Sequence, residues 1–478
     1  MSLSRLAAKN IFLLLITRGI IVCISIIVIA KTSRYLGVEG FGEYNLVFTY
    51  LGFFTLLTDL GMSTIVIREM SANREKAGSI LFNYILLRTI LIAIAITSLF
   101  LSISFLTYPD STKKLIMLAS IAPIAGILTP FELTFHVTQK FKYSSFITIF
   151  IRIISATLIL LLVFLKARVE WLISINILEN IIISVMAFYF GRRLIKAVPK
   201  IDFSLCRYII AKSWPLAVST IALMIYIRLD QLLIAYFKGN IGVGYYTASL
   251  KLIEQFNMIP VFTATVIFPL LSQLRSHAID RFVRISNLTF KYMAMMAIFL
   301  GVILSSLSDT LIIFMYGRDF LPAQSSFIWL TWAQMFRFPN IILGMLINII
   351  DRQKSGMFNS ILCALVSVSA NMYLIPIFGV SGAAFTALFS EFMMFFLSVR
   401  IVKKDFPELN LSPILGFLIA GAAGWFFIYR INSGLISGLL IFPLIYFGVI
   451  LLFKGFNKDD FHLFREIVLS KKGTVYGY

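Results

Sequence analysis

Apolar stretches of about twenty residues, separated by short polar breaks, fill this chain from one end to the other. They fall near residues 10–30, 42–64, 78–106, 115–138, 144–166, 170–190, 210–236, 243–272, 288–314, 324–350, 356–376, 380–401, 411–429 and 433–454. A hydrocarbon core about 30 Å thick needs about twenty helical residues to cross it, and an isolated strand cannot cross at all because its edges leave backbone groups unpaired. The pattern therefore predicts an all-α polytopic membrane protein with about fourteen transmembrane helices. No connection between stretches is long enough to hold a separate domain.

Composition agrees with this pattern: 59% of the residues are hydrophobic and 13% charged, against about a quarter charged in a soluble domain. The net charge of +20 comes from short loops. With both ends placed in the cytoplasm, about 26 of the 42 Lys and Arg residues fall on the cytoplasmic side, about 9 outside and about 7 within the stretches. That asymmetry orients the chain and removes the need for a nucleic-acid partner. The first stretch, residues 11–30, spans without a small-residue cleavage signal and reads as a retained helix. Cys23, Cys206 and Cys363 form no paired framework, and His136, His277 and His462 have no neighbours at metal spacing. No metal site and no cofactor is expected.

The two halves repeat. Gly37, Gly40, Gly42 and Tyr44 align in register with Gly239, Gly242, Gly244 and Tyr246, each block following an odd-numbered helix on the outer side. Glycine permits a tight turn and close helix entry, and tyrosine suits the membrane interface. Duplication in the same orientation divides the chain into an N-lobe at 1–190, a basic linker at 191–212, a C-lobe at 213–404, and helices 13 and 14 with a basic tail at 405–478. Arg192, Arg193, Lys196, Lys200, Arg207 and Lys212 make the linker a topology anchor in contact with anionic headgroups, or a recognition element. Prolines within the stretches, Pro123, Pro130, Pro260 and Pro339, mark kinks.

Charges inside the stretches locate candidate chemistry, because a cation at the bilayer centre costs at least about 2.5 to 3.5 kcal/mol without a polar cavity. Arg18, Arg88 and Arg152 lie in helices 1, 3 and 5, each roughly 12 to 15 Å from the cytoplasmic end at the rise of an α-helix. A ring of guanidinium groups at one depth suits a diphosphate, through bidentate hydrogen bonds. Pairing with Asp59, Glu132 or Glu179 is the structural alternative. In the second half, Lys251 and Glu254 share a helix face and read as an ion pair, while Arg228 and Asp230 point apart and each needs another partner. Arg337 lies in helix 10, and Lys291 snorkels from the inner end of helix 9. Glu179 and Glu391 sit in the middle of helices 6 and 12. Each is either a proton-coupling carboxylate or a permanent arginine partner.

Several segments carry a family resemblance: Arg18; Arg34-Tyr-Leu-Gly-Val-Glu-Gly-Phe-Gly-Glu-Tyr44; Asp59-Leu-Gly-Met-Ser-Thr64 with Arg68-Glu69; Arg228-Leu-Asp-Gln-Leu-Leu233; Val243-Gly-Tyr-Tyr246; Lys251-Leu-Ile-Glu254; and Phe378-Gly-Val-Ser-Gly-Ala-Ala384 before Glu391. Together they resemble the polysaccharide flippases of the multidrug/oligosaccharidyl-lipid/polysaccharide (MOP) exporter superfamily, and most of all its O-antigen translocase branch. The resemblance implies a V-shaped pair of six-helix bundles around a cationic cavity, in the cytoplasmic (inner) membrane of a bacterium. It also implies an undecaprenyl-diphosphate-linked oligosaccharide as cargo, protons or sodium as coupling ions, and polysaccharide-assembly proteins as partners. O-antigen translocases often have twelve helices; fourteen is more reminiscent of lipid II flippases, whose extra helices form a groove for the lipid tail.

Two other functions compete with this one. A multidrug cation exporter shares the architecture but needs an acidic, aromatic cavity, against which the arginine ring argues. A membrane polymerase or glycosyltransferase needs a sizeable extramembrane loop for its acid or base, and none is present. Lumen Arg18, Arg88, Arg152, Arg228 and Arg337 are thus the expected phosphate-binding residues, with Asp59, Glu179, Asp230, Lys251, Glu254 and Glu391 in coupling or ion-pair roles.

Overall fold

The computed structural model describes residues 3–106, 108–410, 412–431 and 442–452, with the backbone alone described at 3–16, 18, 219, 412, 413, 415, 424, 427–431 and 452. The basic tail beyond residue 452 and the connection at 432–441 lie outside the described residues. Helices account for nearly all of the remainder, with no strand among the described residues. Eight helical runs are long and apolar enough to cross a membrane, or nine if a bent pair, Asp110–Ala125 with Thr129–Val137 at 48°, is one crossing. Two runs are too long for a single passage. Gly19–Leu57 has 39 residues, about 58 Å at helical rise, and Phe203–His277 has 75.

Each long run is broken at the glycine that opens the repeat. Helix Leu3–Leu57 passes through Gly37 at φ 65, ψ −175, and helix Phe203–Phe256 through Gly239 at φ 65, ψ −168. That region of backbone space is nearly closed to residues with a Cβ. The chain therefore turns there without the loop that the hydropathy breaks suggest. Other breaks recur as well. Gln139 and Asp351 both adopt positive φ, and the following amides, Lys140 N and Arg352 N, bond back to Phe135 O at 2.8 Å and Ile347 O at 3.0 Å. Lys166 and Gly379 also adopt positive φ, and Ala167 N bonds back to Leu162 O at 2.9 Å.

Kinks fall where proline removes a donor. The fourth apolar stretch breaks around Pro123 and Pro130, and the run through Phe256 resumes at Met258 just before Pro260. Pro339 instead lies inside an unbroken helix, Gln324–Ile349.

The chain forms two compact units. The first comprises Met1–Lys251, Met315–Ser326 and Ser360–Thr386; the second comprises Leu252–Phe314, Phe327–Asn359 and Ala387–Tyr478. In the first unit the core gathers Met62, Val66, Leu81, Tyr84, Phe131 and Ile209. In the second, Phe290, Phe338, Ile342 and Leu346 form one cluster, and Ile298, Phe417, Phe442 and Tyr446 another.

Within the first unit the two glycine blocks pack against each other reciprocally. A Cβ on Gly42 would stand 1.9 Å from Asn240 O, and one on Gly244 would stand 2.1 Å from Val38 O. Val38 and Asn240 are themselves aligned positions of the repeat. The sequence repeat is thus expressed as a two-fold-like crossing of backbones that only glycine allows. Side chains reinforce it: Tyr35 donates to Ala167 O at 2.7 Å, Lys238 to Pro376 O at 3.0 Å, and Arg34 to Met315 O at 3.2 Å.

Candidate intramembrane charge site

The glycine crossing sets the height of the two tyrosines that follow it. Tyr44 comes two residues after Gly42, and the charges of Glu179 and Arg152 both reach its hydroxyl. Tyr246 comes two residues after Gly244, is fully buried, and donates to Asp230 Oδ2. The sequence reading of Tyr246 as an interface anchor is corrected here, because its ring is fully buried, whereas Tyr44 is half-buried. A phenol in the interior needs a polar partner, and each repeat supplies a charged group.

Arg152 lies on the helix Phe141–Phe164 and Glu179 on the helix Val169–Gly191. Neither side chain makes a hydrogen bond or an ion pair within 4.0 Å with a described residue, although the charges of both act on Tyr44. Arg152 is exposed and Glu179 half-buried, so the guanidinium keeps its donors available.

Arg88 is held differently. It donates from Nη1 to Thr129 Oγ1, and its charge acts on Tyr84 and on Glu132. Its Nε is buried and meets no acceptor among the described residues. Tyr84, four residues earlier on the same helix face, donates to Asp59 Oδ1 at 2.5 Å. Asp59 also accepts from Ser63 N at 3.1 Å and Ser63 Oγ at 2.8 Å, which satisfies an amide in the first turn of the helix Met62–Ala72. Those bonds employ both carboxylate oxygens. No hydrogen bond or ion pair joins Arg88 to the group around Arg152.

Arg18 lies on the helix Leu3–Leu57, but its side chain is outside the described residues. Arg228, Asp230, Lys251 and Glu254 belong to the helix Phe203–Phe256. Asp230 there accepts from its neighbour Gln231 N at 2.7 Å as well as from Tyr246, while Gln231 Oε1 receives Thr49 Oγ1 at 2.7 Å.

In the second unit, Arg337 Nη1 stands 3.5 Å from Glu391 Oε1, and Asn340 Nδ2 donates to Glu391 Oε2 at 2.8 Å and to its carbonyl at 3.0 Å. Glu391 is buried at 6% exposure, so this carboxylate has both a counter-charge and a hydrogen-bond donor. The proline one residue before Asn340 lies in the same helix.

The interactions of the described site residues include Arg88 with Thr129, Glu132 and the Tyr84–Asp59 bond; Arg152 with Tyr44 and Glu179; Asp230 with Tyr246; and Arg337 with Glu391. Sequence reasoning missed Tyr84, Thr129 and Asn340. The spacing of Tyr84 and Arg88 was the available signal for the first. Thr129 and Asn340 carried none, because ordinary polar residues gain meaning only from what packs opposite them.

Comparison with known proteins places this arrangement. Residues 7–275, more than half of the chain, match the family described as "Polysaccharide biosynthesis protein". A probable flippase, AglR, of Haloferax volcanii is 25% identical over 205 residues, 42% of this chain and 43% of that protein. An uncharacterized membrane protein of Methanocaldococcus jannaschii is 24% identical over 230 residues, 47% and 45% of the two chains. The matched stretch thus spans less than half the length of each relative. Among solved structures, the lipid II flippase MurJ in an inward closed conformation superposes with a TM-score of 0.76 over 92% of this chain and 98% of that one, at 16% identity. The multidrug transporter DinF-BH gives 0.62 over 85% and 97%, at 15% identity. With its all-helical, many-span architecture and a fold shared with MurJ and the multidrug exporters, this chain belongs to the polysaccharide biosynthesis protein family and is a multi-pass membrane protein.

Proposed function

We propose that the protein is a flippase that carries a lipid-linked oligosaccharide across the membrane by alternating access. The cargo in this reading is an undecaprenyl-diphosphate-linked O-antigen or related surface-polysaccharide unit, moved from the inner to the outer face of a bacterial cytoplasmic membrane. The observation that carries the proposal is Arg152: an arginine on a spanning helix, with Tyr44 and Glu179 in electrostatic reach but no described residue taking its hydrogen bonds. Holding a guanidinium there is costly unless an anion uses it, and a diphosphate offers oxygens spaced for a bidentate fork. The family match and the flippase name of the Haloferax relative support the same reading.

The reading assigns each charged residue a role. Arg152 and Arg88 contact phosphate, Arg18 and Arg228 are further cargo-binding cations of the first unit, and Arg337 is the corresponding cation of the second. Glu179, half-buried on the spanning helix Val169–Gly191, takes the role of coupling carboxylate in this reading. Glu391 serves as the partner of Arg337, the ion-pair reading of the two that the sequence left open. The protein acts as a transporter and performs no covalent chemistry on its cargo.

The test is a reconstituted translocation assay in proteoliposomes. Defined undecaprenyl-diphosphate oligosaccharides should reach the opposite leaflet in wild-type vesicles and remain in place with Arg152→Ala. Transport of amphipathic cations without movement of the lipid-linked sugar would identify a drug exporter, and extension of the sugar chain would identify a polymerase.

A further inference from the structure

The segment between the helix Val169–Gly191 and the apolar part of the next run carries a surface that the transport reading does not use. Its first feature is a set of cations ordered on aromatic rings. The Arg192 guanidinium lies 5.0 Å from the Phe188 ring centre, and that of Arg193 lies 4.1 Å from the Tyr189 ring and donates to its hydroxyl. Lys196 and Lys200 follow, both exposed. Stacking fixes these charges at the level of the rings instead of letting them swing into bulk water.

Its second feature is an outward apolar stripe. Helix Phe203–Phe256 begins with Asp202, whose Oδ1 accepts from Ser204 Oγ at 2.6 Å and from Leu205 N at 3.0 Å. In its first three turns Cys206, Ile209 and Ser213 face inward and are buried. Phe203, Arg207, Ile210 and Trp214, spaced four, three and four apart, form a separate exposed stripe about 100° around the helix from the buried one, with Phe203 82% and Trp214 65% exposed. Large exposed aromatics beside cations are the signature of a helix lying in the headgroup layer. The nearby acids are occupied: Asp202 by its cap, and Glu69 by Arg68 at 3.1 Å and Tyr208 at 3.0 Å.

Position supplies the remaining step. Arg192 and Arg193 directly follow a 23-residue helix long enough to span, and Phe203 opens the next run that does so. The whole segment therefore lies at one membrane boundary. We infer that residues 188–214 form a docking site for anionic phospholipid headgroups, with Arg192, Arg193 and Arg207 meeting the phosphate and Phe203 and Trp214 entering the acyl boundary. This surface is independent of the cargo site, and neither reading needs the other.

The experiment uses the full chain in nanodiscs containing brominated phosphatidylglycerol or brominated phosphatidylcholine, with the wild-type minus Trp214→Phe difference isolating the fluorescence of Trp214. Phosphatidylglycerol should quench Trp214 at a mole fraction about fivefold lower than phosphatidylcholine, and the triple variant Arg192→Gln/Arg193→Gln/Arg207→Gln should remove the preference. Equal quenching of the wild-type protein by the two lipids would overturn the proposal, whatever the stability of the variant. Loss of the preference on adding inorganic phosphate, but not chloride at equal ionic strength, would reassign the site to a free anion.

Discussion

Replacing Gly42 or Gly244 with alanine should be far more damaging than the loss of one hydrogen atom suggests. The new methyl group on Gly42 would lie 1.9 Å from Asn240 O and 2.7 Å from Gly244 N, and on Gly244 2.1 Å from Val38 O. Ordinary carbon contacts begin near 3.4 Å, so the two segments must part by about 1.3 to 1.5 Å. The obstructing atoms are backbone and cannot rotate aside. Overpacking of this kind costs about 1 to 3 kcal/mol, and these two positions belong at the upper end. Because one separation relieves both clashes, the double variant should cost clearly less than the sum of the singles. Gly40 is the internal control. Its nearest neighbour is the Leu36 Cβ at 3.3 Å, and helical Gly→Ala gains about 0.5 to 1 kcal/mol, so Gly40→Ala should be close to neutral. Gly37→Ala meets open space but inherits φ 65, and should cost about 1 to 3 kcal/mol through strain alone. Unfolding free energies of the purified variants in mixed micelles measure all four. Gly42→Ala and Gly244→Ala as mild as Gly40→Ala would refute the crossing. The same displacement moves Tyr44 relative to Arg152 and Glu179, so transport by correctly folded Gly42→Ala should fall as well.

Arg152→Ala should reach the membrane at wild-type abundance and lose at least about tenfold in glycolipid translocation, with Arg152→Lys recovering only part because a point charge lacks the fork; near-normal transport by Arg152→Ala would remove phosphate binding from this residue. Glu391→Gln and Glu179→Gln should part ways: the first removes the counter-charge of Arg337 and lowers unfolding free energy by about 1 to 3 kcal/mol, whereas the second leaves folding intact and abolishes dependence on an ion gradient. Equal stability losses in the two variants would contradict this division. Cysteine at Asp110 should react with an impermeant reagent from outside while cysteine at Lys403 should not, and reversed labelling would invert the proposed orientation. The Ser204 hydroxyl and the Leu205 amide hold the Asp202 carboxyl below its usual range, so its cap is fully present above the ordinary carboxylate pKa and is lost as pH falls through the depressed folded value. Amide exchange at Leu205 should rise over that acid window and be pH-insensitive, after correction for intrinsic exchange, in Asp202→Asn.

The membrane class and the repeated glycine-tyrosine block were legible in the sequence, because both are one-dimensional quantities: apolar length against bilayer thickness, and identities in register. Even the special backbone at Gly37 and Gly239 was foreshadowed, since only glycine occupies such conformations without strain. What the sequence left undecided was which buried charge meets which. Hydropathy says that a helix crosses but not how it is rotated about its own axis, and a turn of one residue, about 100°, exchanges one set of neighbours for another. Tertiary packing set those rotations. It gave Glu391 to Arg337 and Asn340, committed Asp59 to Ser63 and Tyr84, and brought Tyr44 within electrostatic reach of Arg152 and Glu179. It also turned the two glycine blocks toward each other, a contact that no local pattern encodes because its cause, two backbones closer than any side chain permits, exists only once both halves are folded.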